Sequence, residues 1–67
     1  MSEMDWKAEP VVALLKRFGQ LSQADIQMEV ASWWHDKVGS VEFENARKRG
    51  TIVRVPGEKH VWKLAKS

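Results

Sequence analysis

The sequence predicts a mainly helical α+β domain, three helices followed by a small β-hairpin. Apolar residues recur at helical spacing in three segments up to residue 49, and the period then changes to the alternation of strands. Pro56-Gly57 divides that alternating stretch into two arms. A chain of 67 residues holds one domain, so residues 1–67 are read as a single unit with 65–67 as a C-terminal tail. At roughly 1.5 kcal/mol of ordering entropy per residue, so small a chain must bury nearly all its large apolar side chains to fold alone.

Glu9-Pro10 opens the first helix, because proline is tolerated where its missing N–H would be unpaired anyway. Val11, Leu14, Leu15 and Phe18 form one apolar stripe, Lys16 and Arg17 suit the dipole of the last turn, and Gly19 stops the helix at 18. Upstream, residues 1–8 are either flexible or extend this helix or lie across it, with Trp6 expected to be buried.

Ser22 is placed to cap a second helix, 22 to 34, by accepting from the Asp25 N–H, and Leu21 with Ile26 has the spacing of a hydrophobic staple. Ile26, Val30, Trp33 and Trp34 continue on one side, while Ala24, Met28 and Ala31 form a second strip. The adjacent tryptophans diverge by about 100°, so one belongs to the core and the other is partly exposed. His35 to Gly39 breaks the pattern.

Ser40 is the expected N-cap of a third helix, 40 to 49, closed by Gly50. Phe43 and Ala46 point to the core, and Val41, Glu44, Asn45 and Lys48 point away. Glu44 and Lys48 have the spacing of an i,i+4 ion pair. Thr51 to Val55 and His60 to Leu64 are the arms of the hairpin.

The net charge of +2 hides a segregation. Residues 1–36 carry three cations against six carboxylates, net −3, and residues 37–67 carry eight against three, net +5. A basic half of this kind is a cue for a polyanion partner. There is no cysteine, and His35 and His60 are lone histidines, so no disulfide or usual structural zinc pattern is available and no metal or other cofactor is expected. Neither a nucleophile with a paired base nor a Gly-rich phosphate loop is evident, so no enzyme is expected. The acidic start and the lack of any apolar run of signal or membrane length read as an intact, soluble protein of the cytoplasm, associated with the nucleoid in a prokaryote.

From Pro10 to Leu64, the order helix, capped helix, helix and hairpin resembles the winged helix-turn-helix family of DNA-binding domains. Ala46-Arg47-Lys48-Arg49-Gly50-Thr51-Ile52 looks like that family's exit from its recognition helix, and Trp62-Lys63-Leu64 closes the wing. The resemblance implies a third helix in the major groove and a wing on the backbone or minor groove of double-stranded DNA. Asn45 is then the candidate reader of adenine, and Arg47, Lys48 or Arg49 of guanine. Arg49, Arg54, Lys59, His60 and Lys63 supply charge for phosphate, with Ser40 and Thr51 as hydroxyl donors. A single winged helix has a small footprint, so a homodimer or a protein partner is allowed.

Two features qualify this expectation. Winged-helix domains for left-handed nucleic acid share Gly50 and Trp62, but this chain has Glu44 where they need tyrosine, Ser40 for asparagine and Lys59-His60 for a proline pair. Glu42 and Glu44 also suit an alternative function, a winged-helix protein-interaction module whose basic hairpin meets an acidic partner and whose Trp34 or Met28 strip is exposed.

Overall fold

The computed structural model describes residues 9–65. The expectations for residues 1–8, Trp6 included, lie outside the described residues. Elements follow in the order α1 (Pro10–Phe18), β1 (Gln20–Ser22), α2 (Gln23–Trp33), α3 (Gly39–Arg49), β2 (Ile52–Arg54) and β3 (Val61–Leu64). Among the described residues these elements make an α+β arrangement of winged-helix-like architecture, three helices with three antiparallel strands in the order β1-β3-β2.

Helix α1 begins at Pro10, where the Ala13 N–H donates to the Glu9 carbonyl at 3.0 Å, and ends at Gly19, whose φ of 83° suits a residue without Cβ. Pro10 to Leu15 are all buried, so the helix is enclosed on more sides than a single stripe predicts. Phe18, assigned to that stripe by spacing, is half exposed because it lies at the open end of the helix.

Strand β1 is the element the sequence reading lacks. Leu21 and Ser22 do act as staple and cap: Leu21 packs on the core, and the Asp25 N–H donates to Ser22 Oγ at 3.1 Å. The same residues pair with β3, Gln20 opposite Lys63, Leu21 opposite Trp62 and Ser22 opposite Val61. The hairpin thus becomes a three-stranded sheet with β3 at its centre.

Helix α2 buries Ile26 and Val30 and ends at Trp33. Trp34 leaves the helix in an extended conformation, and that change of direction turns its ring into the core at 6% exposure. Trp33, still helical, is 60% exposed, and its Nε1–H donates to Glu29 Oε2 at 3.0 Å. One tryptophan in the core and its neighbour exposed is the division expected of adjacent helical residues. An exposed Trp34 is overturned, while Met28 is exposed as the alternative function anticipated.

Helix α3 starts one residue before its expected cap: Val38 is the N-cap, without a side-chain bond, and Ser40 sits inside the first turn. Gly39 lies so close to α2 that a Cβ there would stand 2.3 Å from the Gln27 carbonyl oxygen. The helix closes in a Schellman arrangement, with the Thr51 N–H donating to Ala46 O and the Gly50 N–H to Arg47 O, both at 3.1 Å. Gly50 takes the left-handed conformation this requires.

The hairpin turns at Pro56-Gly57, with the Glu58 N–H donating to Val55 O at 3.0 Å. Leu14, Leu15, Ile26, Val30, Trp34, Phe43 and Ile52 make the core, and Leu21, Trp62 and Leu64 cover it from the sheet. Trp62 meets Phe43 edge to face, ring centroids 5.2 Å apart at 85°, which fastens β3 to α3.

Candidate nucleic-acid interface

Helix α3 turns Gly39, Phe43 and Ala46 inward, which leaves Val41, Glu44 and Lys48 along the opposite side. Val41 is 51% exposed, and Ser40, Asn45, Arg47, Lys48 and Arg49 are exposed as well. The candidate residues of α3 are thus accessible, but they are divided between two flanks.

On the flank toward α1, Asn45 borders a small cleft that Glu9, Glu42, Arg49 and Thr51 also line. Arg49 Nη1 donates to Glu9 Oε1 at 3.1 Å, tying the end of α3 to the start of α1. Thr51 is half-buried at the exit of the helix, its N–H already engaged. Asn45 and Arg49 therefore border a helix junction as well as solvent.

On the other flank, Ser40, Glu44 and Arg47 follow one another at i, i+4 and i+7. Arg47 Nε donates to Glu44 Oε1 at 2.7 Å and Nη2 to Glu44 Oε2 at 2.9 Å, a two-bond fork. The expected Glu44–Lys48 pair is replaced by this i,i+3 pair, because the planar guanidinium matches both carboxylate oxygens and an ammonium does not. Lys48 is left exposed without a carboxylate partner among the described residues.

The wing divides its charges by register. Ile52 lies opposite Leu64, Val53 opposite Lys63 and Arg54 opposite Trp62. Opposed residues share a face and successive residues alternate, so Arg54 lies on the Trp62 face, turned to α3, and Lys63 lies on the other face with Val53 and Gln20. Arg54 and Lys63 do not belong to one surface. Lys59 and His60 are exposed in the hairpin loop, and the His60 carbonyl accepts from the Gln23 N–H at 2.8 Å, holding the loop against the start of α2.

Sequence reasoning missed the two carboxylates that hold these arginines. Glu44 and Arg47 have a spacing from which their pairing could have been read. Glu9 and Arg49 are 40 residues apart, and nothing local links them. No group of three or more His, Asp or Glu residues able to hold a metal occurs among the described residues, and no helix there is long and apolar enough to cross a membrane. No family model, curated protein or solved structure matches the chain.

Proposed function

We propose that the protein is a non-enzymatic, cytoplasmic double-stranded DNA-binding protein, a small transcriptional regulator that meets phosphates with the end of α3 and the wing. The observation that carries this reading is the set Lys48, Arg54 and Lys59: all are exposed, and none has a carboxylate partner among the described residues. Point charges so presented are what phosphate contact needs, and each contact releases counterions. Arg47 and Arg49 lend less net charge, since each faces a carboxylate. Lys63, on the far face of the sheet, is a lesser contributor.

The test is titration against random duplex DNA at several salt concentrations. The parent should bind with a steep salt dependence, and R54A and K59A should each weaken binding to all sequences alike and remove about one unit of log–log slope. Unchanged affinity and slope in the double variant would refute the wing as the phosphate contact.

The protein-interaction module keeps one specific support. Phe18, Met28 and Trp33 are at least half exposed on α1 and α2. Absence of salt-dependent duplex binding would favour that second reading.

A further inference from the structure

The pairing of Glu44 with Arg47 has a consequence for which base α3 reads. An arginine carries five N–H donors on two usable edges, one formed by Nε and Nη2 and the other by Nη1 and Nη2. Glu44 occupies the first edge through bonds of 2.7 and 2.9 Å. The second edge keeps its donors, and the guanidinium plane is held in a defined orientation, with the Arg47 and Glu44 side chains 48% and 42% exposed. A free arginine samples many rotamers and loses that freedom on binding; one already held by a fork loses less.

We propose that Glu44 is a positioning residue that presents the outer edge of Arg47 to the O6 and N7 acceptors of a guanine in the major groove. The proposal rests on the DNA-binding reading above and names the base that this face selects. The other candidates are less suited to the same task. Arg49 meets Glu9 through a single bond from Nη1, which fixes its guanidinium plane less than a fork does, Asn45 borders the cleft against α1, and Lys48 offers a point charge without a planar fork. A carboxylate on a DNA-facing helix is a liability if it acts only as a charge, and removing it then strengthens binding to every duplex alike. If Glu44 orients Arg47, removing it has a second effect of opposite sign, confined to one base.

The test uses the full chain and the variants E44A, E44Q, R47A and R47K, at two side chains that are each a little under half exposed. The preferred duplex is first selected from a randomised pool with the parent protein, and each guanine in it is then replaced singly by 7-deazaguanine, which lacks the N7 acceptor. One replacement should cost the parent about tenfold or more in affinity, within the range of a bidentate guanine contact. R47A should be indifferent to that replacement, and R47K, whose ammonium can still donate to N7 but lacks the planar fork, should be less sensitive to it than the parent. E44A should bind random duplex as tightly as the parent or more tightly, yet lose most of the guanine discrimination, and E44Q, which keeps one acceptor, should fall between. Full guanine discrimination in E44A would overturn the positioning role, as would discrimination that survives in R47A. Salt-dependent binding by the parent without any guanine preference would refute this inference and leave the DNA-binding reading standing, whereas no duplex binding at any salt would refute both.

Discussion

Substitution of Gly39 by alanine sets local preference directly against tertiary packing. Gly39 is the first residue of α3, and on helix propensity alone alanine is favoured by up to ~1 kcal/mol. The structure demands the opposite sign. A Cβ at this position would stand 2.3 Å from the Gln27 carbonyl oxygen and 2.9 Å from both the carbon of that carbonyl and the Gln27 Cα. Non-bonded contacts are comfortable at about 3.5 Å, so the overlap is about 1 Å. The obstruction is backbone and no side chain can swing aside, so α2 and α3 must separate. Overpacking of this kind costs about 1–3 kcal/mol, set against a total of roughly 3–10 kcal/mol for a chain of this length. A loss of ~2 kcal/mol should lower Tm by about 8–16 °C. Urea and thermal unfolding followed by tryptophan fluorescence measure this, with buried Trp34 as a core reporter. Gly19→Ala is the control for strain without collision: it has no heavy atom within 4 Å but a φ of +83°. A Gly39→Ala protein as stable as the parent, or more stable, refutes the close approach of α2 and α3.

Two further variants test how the scaffold supports the site. Ser22→Ala removes the acceptor for the Asp25 N–H and should cost ~1 kcal/mol in urea unfolding; no loss would mean that the cap contributes nothing. Glu9→Gln breaks the ion pair with Arg49, whose side chains are 42% and 62% exposed. It should cost at most ~1 kcal/mol at low salt and nothing near 1 M salt, while releasing Arg49 to steepen the salt dependence of duplex binding by up to about one log–log unit. A larger loss that persists in high salt would show that the pair contributes more than a screened surface contact.

The legible parts of the fold are those whose causes lie within a few residues. Pro10 and Gly19 bracket α1, Ser22 with Asp25 starts α2, Gly50 closes α3 and Pro56-Gly57 turns the hairpin, all in agreement with the structure. The site was legible as a set of exposed cations and much less so as a surface. A single helical period distinguishes core from solvent. It does not say which flank of α3 meets α1, nor that Arg49 ends beside Glu9.

By itself, the sequence determined three helices, a C-terminal hairpin and a basic second half, because propensities, caps and turn residues act over one or two turns of chain. Tertiary structure decided the rest. Residues 20–22 became a strand only because β3 offers its hydrogen-bonding edge to them, some 40 residues away. Trp34 was chosen over Trp33 for the core where the chain left the helix, and Arg54 was separated from Lys63 by a strand register that places them on opposite faces. Each of these depends on a partner remote in sequence, and pairing and packing free energies are realised only when that partner is in place.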